Sequence, residues 1–201
     1  MTLPHTNIMN TDSNRNDSYH LRLAAFEEAY DIWSVMDTCY QALEHKEYFI
    51  CDDLDYVKDI LAGHGFGVVA CNEDDKIVGN LLVKYPGLSE ENLGYDVFIK
   101  EYANNCISPD CNITLTSKTL NQVLHMDSTS VLPEHRGHGL ENKMITFAES
   151  LIDTSQYCYS FATVAPENMA SLKSLEKNGY QIIVTKKKYT DLVRCVMMKK
   201  L

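Results

Sequence analysis

With 201 residues, 45% of them hydrophobic, the chain carries enough apolar material for one substantial core and is short for two. A formal net charge of -10 argues against nucleic acid as the main partner and mildly favours a cationic substrate. No run approaches the ~18 uninterrupted apolar residues of a membrane helix, and the N-terminus lacks the basic-then-apolar layout of a secretory signal, so a cytoplasmic location away from membranes is expected.

Taken in order, residues 1–18 are rich in Asn, Asp, Ser and Thr without any apolar period, which predicts an extension that is flexible unless something ties it down. A single domain is expected over 19–201. Tyr19 to Leu23 alternates like a strand, and from Phe26 the residues Phe26, Ala29, Tyr30, Trp33, Met36 and Tyr40 recur at helical spacing. A second helix is expected from Asp53 to Ala62, capped by Asp52 or Asp53 and stopped by Gly63. GHGFG (63–67) precedes a strand instead of opening a helix, so it reads as a turn. FGVVACN and Lys76 to Tyr85 then form a hairpin across NEDDK, whose acidic run lacks the spacing and glycine of a calcium loop. Residues 86–121 form a long insertion with a turn at YPGL and a helix around Tyr95 to Tyr102.

The most informative stretch runs from Leu124 to Ile152, where a strand pattern breaks at Pro133 and a helical pattern begins, with Leu140, Met144, Phe147, Ala148 and Leu151 on one face. Between them, RGHGL puts two glycines where a turn hands over to a helix. Such a junction binds anions, because glycine lets a ligand approach the backbone and the first helical turn presents unpaired amides at the positive end of the helix dipole. The spacing decides which anion loop this is. No Gly-x-x-x-x-Gly-Lys-Ser/Thr string occurs, and the fingerprint Gly-x-Gly-x-x-Gly would need its third glycine at Asn142. An ordinary glycine turn stays open. Downstream, QYCYSFATVAP reads as a strand, ENMASLKSLEKNGY as a helix closing on Asn178 and Gly179, and QIIVT and LVRCVMM as a terminal hairpin. The seven cysteines are scattered and odd in number, which suits reduced thiols. Cys106 with Cys111, and His135 with His138, lack a second ligand pair, so no metal is expected.

The order of elements predicts an α/β layered domain with a mixed sheet. Arg136, Gly137, His138, Gly139, Leu140 and Glu141 resemble the Gln/Arg-x-x-Gly-x-Gly/Ala turn of the GNAT superfamily of acyl-CoA N-acyltransferases, with Glu141 the one departure. Asn168, Lys177, Gly179 and Tyr180 resemble a second signature of that family, an asparagine followed by a helix ending in Lys-x-Gly-Phe/Tyr. The resemblance covers the layout from about Tyr19 onward and the residue detail from Leu124 to Tyr180. It implies a central mixed sheet of about seven strands flanked by about four helices.

The resemblance further implies transfer of an acetyl group from acetyl-CoA, as co-substrate, to a primary amine of a small molecule or peptide, by direct attack in a ternary complex. The main chain of Thr129, Ser130 and Val131 would meet pantetheine, Gly137 to Glu141 would supply the pyrophosphate amides with Arg136 beside them, and Asn168 and Ser171 would line the cofactor arm. Lys143 and Lys173 are candidates to neutralise phosphate. His125 is the first choice for the base that deprotonates the amine, with Asp127 two residues on along its face of the strand; a polar residue satisfied at a strand end is the competing reading of each. The acid that many relatives place on the helix after the asparagine is missing, since Leu175 stands there; Ser171, Ser174, Tyr189 or water would substitute. In the resemblance the insertion borders the acceptor side, giving Tyr95, Asp96, Phe98 and Tyr102 either a recognition role or that of a packed surface flap. A catalytically silent acyl-CoA sensor or an interaction domain remains the alternative, and such folds leave room for a homodimer.

Overall fold

The computed structural model describes residues 9–11, 18–86, 120–188 and 191–201. Among them eight strands form one sheet: β1 (Met9–Thr11), β2 (Tyr19–Leu23), β3 (Gly65–Cys71), β4 (Ile77–Lys84), β5 (Val123–Val131), β6 (Tyr159–Val164), β7 (Gln181–Lys188) and β8 (Leu192–Lys200). Their spatial order is β1-β2-β3-β4-β5-β6-β8-β7. Only β5 and β6 run parallel, joined through a helix; every other neighbouring pair is antiparallel. The fold is thus the α/β layered mixed sheet expected, with Met9–Thr11, inside the expected extension, added as an edge strand on β2. The predicted helix at 95–102, Tyr189, Cys106 and Cys111 lie outside the described residues.

Among the described residues four α-helices flank the sheet: α1 (Ala29–Gln41), α2 (Leu54–Asp59), α3 (Leu140–Ser150) and α4 (Met169–Lys177). Helix α1 buries Ala29 and Met36 of the expected stripe together with Ile32, Val35 and Cys39, and Trp33 packs partly buried against the core, while Phe26 and Tyr30 are 50% and 60% exposed. The reason is local. Phe26–Glu28 forms a 3-10 turn before α1 begins, and this rotates the following face so that slimmer side chains pack on β4 and β5. Each fully buried aliphatic side chain, such as Ile32, stabilises the fold by about 1.5–3 kcal/mol.

Helix α2 is shorter than expected, passing after Asp59 into a wider turn over Ile60–His64 that ends at Gly63, whose φ is 126°. Its cap is Asp53, which accepts from the Tyr56 amide at 2.9 Å. Asp52 is thereby left out of the helix. On the opposite face of the sheet, α3 buries Leu140, Met144, Ile145, Phe147 and Ala148, as its periodicity predicted apart from Ile145 in place of Leu151. Met144 of α3 packs over Gly79 of β4, where a Cβ would stand 3.5 Å from Met144 in ordinary contact and 3.0 Å from Ser130 O.

Two irregularities in β5 position the site. Leu82 pairs with Ser128 but the next residue, Val83, pairs with Met126, so Asp127 is an extra residue in β5, a β-bulge. On its other edge β5 pairs with β6 only through Val123, Leu124 and His125. Beyond His125 the two parallel strands part, and the backbone of 127–131 faces a gap on that side.

Candidate active site

A cavity of about 580 Å³ opens in this gap, with Thr129, Ser130 and Val131 on one wall and the 135–142 loop and helix start on another. Cys39 of α1, Leu43 just beyond its end, and the first turns of α4 close it. Both motif stretches therefore contribute to one space. Gly137 and Gly139 have φ values of 84° and 68°, a left-handed conformation that a β-carbon strains. A Cβ at either would have nothing within 4 Å, so the loop is open on its outer side. Gly139 is the N-cap of α3, which leaves the amides of Leu140, Glu141 and Asn142 without intrahelical acceptors. Arg136 is held at the loop's entry by its Nε, which donates to Val131 O at 3.1 Å.

Glu141 also lines this cavity. Its Oε1 accepts from the Ser171 hydroxyl at 2.9 Å, spanning the starts of α3 and α4. Burial raises the Glu141 pKa, with the Ser171 hydroxyl partly offsetting it. Asn168 caps α4, its Oδ1 accepting from the Ser171 amide at 3.3 Å. Lys173 lines the cavity, whereas Lys143 does not; Lys177, which sequence reasoning used only as a signature residue, does. His138 turns away from the cavity and sets its ring edge against Tyr19, 5.1 Å between centroids, while His135 lines the cavity and meets the Tyr19 hydroxyl at 3.0 Å.

A second cavity, of about 130 Å³, shares Tyr48 and Phe49 with the first and is further lined by Ile50, Asp52, Tyr56, Asp127, Ser128, Thr163 and Arg194. Asp127 reaches it because the bulge carries it there. Its Oδ1 meets His125 Nδ1 at 3.0 Å and its Oδ2 accepts from the Tyr56 hydroxyl at 2.9 Å. Burial works to raise its pKa, but the His125 charge and the His125 and Tyr56 hydrogen bonds outweigh that and leave it lowered. His125 itself is 5% exposed, lines neither cavity, and stacks on Phe161 with 4.2 Å between centroids.

The residue that sequence reasoning weighed only as a helix cap is Asp52. The Ser128 hydroxyl lies 3.4 Å from Asp127 Oδ2 and 3.5 Å from Asp52 Oδ2, one proton shared between two carboxylates. Burial first, then the Asp127 charge, push Asp52 up to about 6, against the Ser128 hydroxyl and Lys84. Arg194, 3% exposed, anchors the far strand by donating to Glu47 O at 2.6 Å. The doubled aspartate at 52–53 was the only available signal for Asp52, since its partner lies 75 positions away in the chain (127 − 52).

Among the described residues, one group, His20, Cys71 and Asp75, brings metal-ligand atoms within 4.8 Å of one another. Asp75 is already paired there with His20 at 3.0 Å and faces the Arg22 guanidinium at 3.9 Å, which opposes a cation. Among the described residues no helix is long and apolar enough to cross a membrane.

A glycine turn opening a helix beside two parting parallel strands is suited to hold an anionic ligand, and a carboxylate-lined cavity shares two lining residues with it. The chain belongs to the acetyltransferase (GNAT) family, whose model matches residues 26–180. Solved structures give the same fold. The GNAT domain of S. lividans PAT is similar with a TM-score of 0.66 at 13% identity, covering 100% of both chains. YncA, a putative acetyltransferase from Salmonella typhimurium with its cofactor acetyl-CoA, gives 0.63 at 13% identity, covering 98% of this chain and 95% of that one. The ribosomal-protein-S5-alanine acetyltransferase of Vibrio fischeri gives 0.62 at 15% identity, covering 96% of each. No curated protein matches the chain in sequence.

Proposed function

We propose that the protein is an N-acyltransferase that moves the acetyl group of acetyl-CoA to a primary amine by direct attack, with both substrates bound together. The observation that carries this reading is the meeting of the two cavities at Tyr48 and Phe49, one lined by the glycine loop and the other by carboxylates. The amides of Gly137 to Glu141 receive the pyrophosphate, with Arg136, Lys173 and Lys177 on the same walls. The main chain of Thr129, Ser130 and Val131 meets pantetheine in the gap between β5 and β6, and a backbone N–H there polarises the thioester carbonyl. Asn168 and Ser171 line the arm from α4. A cationic amine docks against Asp127, whose negative charge His125 and Tyr56 hold in place. In this reading His125 acts through Asp127.

Direct attack forms the C–N bond and breaks the C–S bond, so a proton must leave the ammonium before attack and another must reach the departing thiolate. Leu175 cannot supply the second; Ser171 and Ser174 both line the donor cavity and are the nearest hydroxyls on α4. The residues fit a pyrophosphate except at Glu141, where a carboxylate stands at the helix start. That observation favours a second reading, a domain that binds an acyl-CoA and does not turn it over.

Thiol release from acetyl-CoA in the presence of n-propylamine, glycinamide, putrescine and a short peptide separates them. Turnover gives free thiol matched by acetylated amine. Binding of acetyl-CoA without thiol release supports the sensor, and the absence of any binding contradicts both.

A further inference from the structure

Resting on the acyltransfer reading, we propose that Asp52 is the base that takes the proton from the acceptor, and that the acceptor presents a small aminoalkyl head to the cavity between Asp52, Asp127 and Thr163. Four observations converge on it. The first is division of labour. Asp127 is spoken for, with one oxygen on His125 and the other on Tyr56, whereas among the described residues the Asp52 carboxylate has a single hydrogen bond, the 3.5 Å one from Ser128. A carboxylate already engaged by an imidazole and a phenol is a good anchor and a poor proton acceptor; a neighbour with one long bond is the reverse.

The second is access. Asp52 and Asp127 both line the second cavity, while His125 lines neither, and a base must come within hydrogen-bond reach of the proton it removes.

The third is a pair of buried polar atoms with no partner at the β4–β5 junction beside the site. Ser130, 5% exposed, lines the donor cavity with its hydroxyl unpaired, and its cross-strand partner Asn80, fully buried, leaves Oδ1 unpaired while its Nδ2 reaches Ser128 O at 3.5 Å. Unpaired groups this deep are rare unless a bound group or water completes them. The fourth is size. At ~30 Å³ per water-sized group, a cavity of about 130 Å³ admits roughly four such groups, room for a small aminoalkyl head.

The charged and titratable groups facing Asp52 are Asp127 on β5, backed by His125; Tyr56 and Asp53 at the start of α2; Lys84 on β4; and Arg194 on β8. Their balance leaves Asp52 titrating at about 6, close enough to neutrality for a base that must accept a proton and release it each cycle. Asp52 takes one proton from R–NH3+, the freed amine attacks the thioester carbonyl, the C–S bond breaks, and the remaining ammonium-type proton leaves with the thiolate. Asp52 then returns its proton to solvent.

The test follows the side-chain carboxyl carbons by NMR in the full chain, titrated with n-propylammonium in the presence and absence of coenzyme A. The Asp52 carbon is expected to titrate near 6 and to shift to lower pH as propylammonium is added. Asp52→Asn should weaken propylammonium binding about tenfold, the loss expected of one charge-assisted hydrogen bond, and leave the heat of acetyl-CoA binding unchanged. With propylamine as acceptor, thiol release should fall by roughly 100-fold or more, with the KM for acetyl-CoA unmoved and the acid limb of the pH profile lost; Asp52→Glu should restore part of it. His125→Gln should retain the Asp52 titration. An Asp52 carbon indifferent to propylammonium, or an Asp52→Asn variant that keeps the limb, overturns the proposal. If the wild type fails to bind acetyl-CoA, the acyltransfer reading falls instead, and the carbon titration alone judges the amine site.

Discussion

The two cavities are built from different kinds of sequence. The larger is walled by two contiguous runs, 129–142 and 168–177, with α1 closing it, whereas the smaller gathers Asp52, Asp127, Thr163 and Arg194 from four separate elements. A contiguous wall is specified by local chemistry: two left-handed glycines, a helix start and a cap. A gathered wall is specified by register, and its polarity changes with any one of its strands.

That contrast can be broken from either side. The largest effect is expected at Asp127, which joins the bulge, the ion pair and the amine pocket. Asp127→Asn should lower thiol release by roughly 100-fold or more and should also destabilise the fold by about 3 kcal/mol, the cost of stranding a buried charge partner. Thermal unfolding and turnover measured together check it. Because the folded pKa of Asp127 lies below its unfolded value, its contribution to stability is present above the unfolded value and is lost as pH falls through the folded one.

Next is the loop. Gly139→Val, forced into a left-handed conformation, should cost about 1–2 kcal/mol of stability and weaken acetyl-CoA binding without altering the propylammonium titration. If both sites weaken together, the cavities are one unit and the contrast fails. Glu141→Gly should tighten coenzyme A binding by about tenfold, the equivalent of removing about 1.4 kcal/mol of repulsion; unchanged heat of binding would mean that the Ser171 bond already holds the carboxylate out of the way.

The smallest effect concerns stability at Asp52. Its folded pKa of about 6 exceeds the model-peptide 3.8, so its contribution is fully present below the unfolded value and is lost as pH rises through about 6. Asp52→Asn should therefore unfold at a higher temperature than the wild type at pH 8 and not at pH 4. The gain is about 1 kcal/mol once partial solvent exposure is discounted. A variant that gains stability while losing turnover separates a chemical role from a structural one.

How much of this was legible in the sequence follows the same division. RGHGL and the helix after Asn168 were readable because glycine conformation, capping and helical period are properties of neighbours in the chain. Strand β8 was readable as a strand, but Arg194 passed as one charge in an apolar run, because its cavity exists only after β8 inserts between β6 and β7. His125 and Asp127 were paired correctly by alternation, yet the bulge that carries Asp127 into the pocket has no local marker, since neither glycine nor proline stands there. Asp52 and Asp53 are chemically identical in sequence. Capping takes Asp53, and this leaves Asp52 to the cavity. The face of α1 was assigned only in part because large aromatics outweigh Val35 and Cys39 in any periodicity, while a close-packed sheet face admits the smaller set.

The central claim is that the two cavities hold the two substrates of one transfer. Incubating the protein with acetyl-CoA and n-propylamine, and following free thiol together with N-propylacetamide by mass spectrometry, tests it most directly. The account predicts equal amounts of both products, with the rate rising through about pH 6 as Asp52 ionises. Thiol released without acetylated amine, or coenzyme A bound with neither product formed, would contradict it.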